Sequence, residues 1–237
     1  MVASQPGILT LKEAFAAAGW RHCLINRATN YLIELPADLE TYQASLAPGK
    51  FKRIRANLNR LKKQGEVRID CRSGLEAEGW RATIADAALI EQASWLASTE
   101  DADFNFADPA MAAFWQAYLA HPEASRAMDF WLLHVDDRPV SFTIMLNSGD
   151  RRYNIVGLYD QAFAKASPGA VIDREAYVDS IAKGARTIDL GQGDSGYKAN
   201  WGAAIEEPVE DWIAFPPGAA GRILHLAVRA KFGGREP

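Results

Sequence analysis

Three strand-like segments in quick succession, Phe130 to Asp136, Arg138 to Asn147 and Arg152 to Tyr159, are followed at once by a helix and one more strand. The links between the three, Asp136-Asp137 and Ser148-Gly149-Asp150, are hairpin chemistry, so they predict an antiparallel meander. The helix runs from Pro168 to Lys183 and is closed by Gly184, and the strand after it covers Arg186 to Gly191. A strand, a helix and a strand in that order predict a right-handed crossover between two parallel strands. The fold class that follows is α/β, with a mixed sheet that is antiparallel first and parallel at the crossover.

The flanking segments fit around that frame. Leu11 to Ala18 reads as a short helix stopped by Gly19, and Arg21 to Leu35 as an extended stretch before Pro36. Leu39 to Gln64 is helical, with a possible break at Pro48-Gly49, and Glu66 to Cys71 alternates like a strand. Helices are expected over Thr83 to Ala97 and Asp108 to Ala120, separated by the polar loop Ser98 to Asn105. Two further strands are expected at Ile205 to Val209 and Asp211 to Phe215. A basic amphipathic helix, Arg222 to Phe232, follows and is expected to pack its apolar residues on the domain rather than on a membrane.

Composition excludes several classes. No stretch approaches the roughly 20 apolar residues that span a bilayer, and Met1 to Trp20 lacks the pattern of a secretory signal. Two cysteines, Cys23 and Cys71, argue against a disulfide scaffold and for a reducing, cytoplasmic setting. The four histidines have no ligand partners at metal-binding spacing, so no metal site is expected. Charge is uneven: Lys50 to Lys63 holds seven basic residues and no acid, while the other 19 basic residues face 30 acidic ones. This basic helix has three readings: a solvated face, a seat for an anionic ligand or acyl-carrier protein, and, third, nucleic acid.

Ser167-Pro168-Gly169-Ala170-Val171 carries the clearest chemical signal. Ser167 is a favoured cap and Pro168 a favoured first helical residue, which leaves the amides from Gly169 onward for a ligand. Free donors at the positive end of a helix suit a pyrophosphate. The tripeptide alone equally suits an ordinary helix start; its place after a strand of a parallel crossover, where open α/β sheets bind ligands, favours the functional reading.

These residues together resemble the GNAT fold of acyl-CoA-dependent N-acyltransferases, and more finely its CelD/BcsL-type branch, relatives of the Fem-type aminoacyl transferases. The resemblance is carried by Tyr31-Leu32-Ile33-Glu34-Leu35-Pro36, Leu61-Lys62-Lys63-Gln64-Gly65-Glu66-Val67 and Ser94-Trp95. It continues through Gly157-Leu158-Tyr159-Asp160, Ser167-Pro168-Gly169 and the run from Gly191 to Lys198. Family members look like two tandem halves. Here one full half, residues 36–237, follows a remnant, residues 1–35, and the chain lacks the Arg/Gln-x-x-Gly-x-Gly/Ala phosphate pattern.

The resemblance implies a GNAT-like sheet with splayed parallel strands and acyl transfer from acyl-CoA, a co-substrate and not a tightly bound cofactor, or from an acyl-carrier thioester. The acceptor is an amine on a small molecule or peptide. The pantetheine arm would lie along Val156, Gly157, Leu158 and Tyr159, with phosphates at Ser167, Gly169, Ala170 and Val171. Gly157 either makes room for the arm or is a strand bulge. Tyr197 would protonate the thiolate and Lys198 would pair with a phosphate or carboxylate, unless it is bridged to Asp194 or Asp189. Glu91 and Asp194 are candidate bases, with Asp160 behind them, and His134 reads as a core histidine. A homodimer is compatible with the missing half. Two rival readings stay open: an inactive GNAT-like binding module, and a Fem-like transferase using charged tRNA.

Overall fold

A computed structural model describes residues 6–98, 106–193 and 196–232. Its contacts divide the chain into two compact units. The larger comprises Ile33–Leu190 and Asn200–Gly202; the smaller comprises Met1–Leu32, Gly191–Ala199 and Ala203–Pro237.

The smaller unit begins with α1 (Pro6–Ala17) and β1 (Arg21–Glu34), whose last two residues belong to the larger unit. The helix starts one turn earlier than Leu11, with Pro6 at its start.

In the larger unit, Asp38 caps α2 (Leu39–Ser45) by accepting from the Thr41 amide at 2.8 Å. Gly49, at φ 76°, separates it from α3 (Lys50–Lys62), so the break falls where Pro48-Gly49 placed it. The chain continues through β2 (Val67–Arg72), α4 (Ala77–Gln92), a 3-10 turn (Trp95–Ser98), α5 (Pro109–Leu119) and α6 (Pro122–Ala127). The helix expected over Thr83 to Ala97 runs from Ala77 to Gln92; Glu76, its cap residue, makes no side-chain capping bond and is not a residue type that signals a helix start. Helix α6 is too short to show periodicity and escaped the sequence reading.

The meander follows as β3 (Met128–Val135), β4 (Arg138–Ser148) and β5 (Arg151–Tyr159), all antiparallel. A 3-10 helix (Gln161–Ala166), α7 (Pro168–Ala182) and β6 (Thr187–Gln192) complete the crossover, and β5 and β6 are parallel. Strand order within this unit is β2-β3-β4-β5-β6.

Alternation along the strands sorts their side chains onto two faces. Phe130, Leu132, Phe142, Ile144 and Leu158 point at α4 and α5, where they meet Trp80, Ile84, Ile90 and Trp115 in one buried cluster. Each such side chain contributes roughly 1.5–3 kcal/mol on burial. The opposite face, including Ser141 and Thr143, is covered by α7, which in turn packs on α3.

The smaller unit closes with β7 (Ile205–Phe215) and α8 (Ala219–Phe232). The two short strands expected around Glu210 are one continuous strand, paired with β1 from Arg21↔Phe215 to Leu32↔Ile205. Glu210 does not break it because Arg27, Lys12 and the Trp212 indole all donate to its carboxylate. Helix α8 corrects a second expectation. Ile223, Leu224 and Leu226 do not pack on the domain but stand 67, 55 and 63 % exposed. The side that packs holds Gly221, where an added Cβ would lie 1.9 Å from the Pro216 carbonyl oxygen, and His225, edge-on to Phe215.

Candidate active site

In the larger unit, β5 leaves β6 early. The parallel ladder runs only from Arg151↔Thr187 to Tyr153↔Asp189, held by the Arg151–Asp189 ion pair at 2.6 Å. Beyond Tyr153, β5 keeps its pairing to β4 but has no ladder partner toward β6. The extra residue that lets it turn away is Ile155, where the β4 register shifts between Val156 and Asn154. Gly157 pairs with Thr143 and is therefore not the bulge. This unpaired edge is a template for an extended amide chain.

The expected arm-binding residues divide by face. Val156 and Leu158 turn their side chains into the core under α4, so only their backbone is available to a ligand. Gly157 and Tyr159 face α7, and a Cβ at Gly157 would lie 3.3 Å from Thr143 Oγ1.

At the carboxyl end of β5, the N-terminus of α7 differs from expectation in two ways. Ser167 adopts a left-handed backbone (φ 46°, ψ 58°) and its side chain makes no capping bond. For a residue other than glycine this conformation costs on the order of 1 kcal/mol. The amides of Ala170 and Val171 turn to the Ser167 carbonyl, at 3.1 and 3.4 Å, leaving Gly169's as the one with no acceptor among the described residues.

What the reduced donor set lacks, α3 supplies. A groove of about 400 Å³ is lined by Lys50, Arg53, Asn57 and Arg60 of α3 together with Ser167 and Ala170 of α7 and Asn200. The basic helix and the phosphate-type helix start, far apart in sequence, are two walls of one cleft.

Beneath this groove lies a polar cluster that the sequence reading missed. Lys50 Nζ sits 4.0 Å from the centroid of the Trp201 ring, Tyr177 packs edge-on against Trp201, and the Tyr42 hydroxyl donates to the Trp201 carbonyl. Asp173 of α7 shares the cluster. Burial pushes its carboxyl up to about 7, against the opposing pull of the Thr143 hydroxyl and of Lys50. Burial and Arg53 hold the Lys50 ammonium below its usual value, while Asp173 acts the other way. Burial, then the Asp173 charge, pushes the Tyr42 phenol up. Asp173 could have been found as a lone acid after Val171-Ile172, a turn beyond Gly169 on the same helix face. The neighbouring Arg174-Glu175 disguised it as part of a charged surface.

Glu91 lies where the end of α4 meets the end of β5, the Ala93 carbonyl accepting from the Gln161 amide. Glu91 is 5 % exposed; Oε2 accepts from the Ala107 amide at 3.0 Å, and Oε1 is buried with no partner among the described residues. Burial raises its carboxyl, opposed by the Ala107 and Phe106 amides.

Asp160 is committed elsewhere: it caps the 3-10 helix through the Ala162 amide and pairs with Arg138. His134 is buried as expected, between Asp70 and Asp86. In the smaller unit, Lys198 is 3 % exposed and its ammonium donates to the Gly191 and Gln192 carbonyls, each at 2.8 Å. The Asp189 carboxylate meets Arg151. Tyr197 is exposed. Asp194 lies outside the described residues. Among the described residues no group of acids, histidines and cysteines is arranged to hold a metal.

Comparison with known proteins gives three findings. A family model described as an acetyltransferase (GNAT) domain matches residues 49–199, well over half of the chain. No curated protein sequence matches significantly. Among solved structures, FemX is similar at a TM-score of 0.60 and 12% identity, over 92% of this chain and 70% of that one. The C-terminal domain (DUF2156) of a protein described as a lysylphosphatidylglycerol synthetase from Agrobacterium fabrum gives 0.53 and 16%, over 93% and 69%. L-PGS from Bacillus licheniformis gives 0.50 and 11%, over 94% and 70%. At these identities the likeness is one of fold.

Proposed function

The chain belongs to the GNAT acetyltransferase-domain family, and from that premise we propose that it transfers an acyl group from a CoA or carrier thioester to an amine on a small molecule or peptide. The observation that carries the reading is the parting of β5 from β6 after Tyr153, directly before the open start of α7. In this reading the donor's pantetheine amides pair with the free edge of Ile155–Tyr159. Its phosphates meet the Gly169 amide and the cations Lys50, Arg53 and Arg60. The order of motifs from Tyr31 to Trp201 favours the CelD/BcsL-type branch within the family.

Acyl transfer to an ammonium needs one proton removed before attack. The free amine then forms the C–N bond, the C–S bond breaks, and the thiolate leaves with the nitrogen's second proton. Asp173 is our assignment for the acceptor of the first proton. It faces Thr143, the neighbour of Gly157 on the donor strand, and it ionises close to neutrality. Glu91 is the second assignment, favoured by its buried Oε1, which has no partner among the described residues.

Calorimetric titration of the protein with acetyl-CoA and with a long-chain acyl-CoA tests the donor. Binding of at least one is expected, and Gly169→Glu should abolish it with the far-UV spectrum unchanged, because a carboxylate then stands where the phosphate would. Absence of heat with both donors, from folded protein, would sink the reading; undiminished affinity in the variant would sink the phosphate assignment.

A further inference from the structure

At about 3.6 residues per turn, Gly221, His225, Val228 and Phe232 share one side of α8, and this is the side set against its own unit. The opposite side presents Ile223, Leu226, Ala227 and Ala230 to solvent, with Leu224 at its edge. The flanks of that apolar stripe are basic: Arg222 and Arg229 on one side, Lys231 on the other. None of the three forms an ion pair among the described residues, and α8 contains no acidic side chain. Two opposite faces of one helix are thus apolar, and only one is covered.

A cavity of about 440 Å³ opens at the foot of the same helix. Arg21 and Arg222 line it together with Pro217, Gly218 and Ile223. It offers two guanidinium groups beside apolar surface, the combination that suits a phosphate attached to a hydrocarbon-bearing molecule.

We propose that α8 is a docking surface for an anionic phospholipid membrane, lying in the interface with its apolar stripe down and a lipid phosphate held between Arg21 and Arg222. The stripe supplies the buried area, and the flanking cations reach the headgroups on both sides, as interfacial helices do. Charge disfavours the simplest rival. A second copy of the chain would lay a helix of three cations against its own twin, with no acid on either to offset them. The protein as a whole is acidic, at −4, so attraction to an anionic surface has to be local, and α8 is where the uncompensated cations and exposed leucines coincide. Among the described residues no helix is long and apolar enough to cross a membrane, so the contact lies on the surface of the bilayer.

Co-sedimentation of the full chain with vesicles tests this independently of any acyl transfer. Binding is expected to vesicles rich in phosphatidylglycerol and not to pure phosphatidylcholine. It should fall away in about 1 M salt, where the screening length shrinks to ~3 Å. Removing two headgroup-reaching charges, Arg222→Gln with Arg229→Gln, should lower the partition coefficient about thirty-fold. Ile223→Glu with Leu226→Glu should abolish binding, and because both sites are exposed the circular dichroism should not change. Three results would overturn the proposal: protein left in the supernatant with both kinds of vesicle, binding that survives the double glutamate, or a dimer in sedimentation velocity that the double glutamate dissolves. Inorganic phosphate that binds without vesicles doing so would likewise assign the cavity to a free anion and not to a lipid.

Discussion

Asp173 sits about a turn and a half into α7, on the face that covers β4, and its environment gives one group two measurable consequences. Burial lifts its carboxyl from 3.8 to about 7, so it is half ionised near neutrality, where a proton acceptor works best. The rate of acyl transfer should therefore rise with pH through about 7, and Asp173→Asn should lose that limb together with about a hundredfold or more in kcat. A merely structural role would leave the shape of the profile intact. If Glu91→Gln removes the limb and Asp173→Asn does not, the proton goes to Glu91. The stability change runs the other way. A carboxyl whose folded value is raised leaves the fold most stable below the unfolded value near 3.8, and stability falls as pH rises through the folded value near 7. At roughly 1.4 kcal/mol per pH unit the bound is about 4 kcal/mol, and screening of a half-buried group brings it to the order of 2. Asp173→Asn should accordingly unfold at higher urea than the parent at pH 8, with the difference vanishing toward pH 4. A variant that is less active and more stable is the signature of a strained catalytic group. None of this was legible from the residue alone. Its partners Thr143 and Lys50 lie 30 residues upstream and more than a hundred residues away in sequence, and only the sheet and α3 bring them to it.

At the scale of elements, α3 shows how a single segment can support two readings at once. Its amphipathic pattern puts Phe51, Ile54, Leu58 and Leu61 on one side, and of these Phe51, Ile54 and Leu61 are buried while Leu58 is half-buried. The seven cations could not be apportioned from sequence, because a basic face looks the same whether it meets water or a ligand. Packing against α7 apportions them: Lys50, Arg53 and Arg60 line the groove, while Lys52, Arg55, Lys62 and Lys63 are exposed outside it. Replacing one groove cation should therefore cost what a charge-assisted bond to phosphate is worth, about 2 kcal/mol or some thirty-fold in affinity. Arg53→Gln and Arg60→Gln should each show this loss in acyl-CoA titrations, and the loss should shrink with added salt. Lys52→Gln and Lys62→Gln should stay within about twofold of the parent, the small change expected of solvated charges. Equal losses at all four positions would mean a diffuse field and not a site. The start of α7 carries the complementary lesson. Ser-Pro-Gly marked the helix boundary correctly, but the Ser167 carbonyl takes two of the expected amides, those of Ala170 and Val171, as an N-cap carbonyl does.

For the whole molecule, the meander and the crossover were legible because hairpin turns and a long helix between strands are local signals, and the α/β class follows from their order alone. What is non-local was not. The pairing of β1 with β7 joins residues nearly two hundred positions apart, and Glu210 reads as a break in sequence although Arg27 and Lys12 satisfy it in the strand. The division into units is likewise non-local: Met1–Leu32 share a contact unit with Gly191–Ala199 and Ala203–Pro237. The larger unit is nearly continuous, and its main aromatic and aliphatic cluster, from Trp80 to Leu158, lies wholly inside it. So do all the residues that line the α3–α7 groove, and Asp173 with them. A fragment from Ile33 to Gly202 should therefore unfold cooperatively on heating, since the hydrophobic contacts that make unfolding all-or-none are complete within it. It should also keep the affinity of the full chain for the phosphate end of the donor, measured with CoA, to within about threefold, because no groove residue has been removed. A broad, non-cooperative melt would show that the larger unit depends on the segments cut away. A cooperative melt with CoA binding lost would instead show that donor recognition needs residues of the smaller unit, and would move the candidate site off the α3–α7 groove.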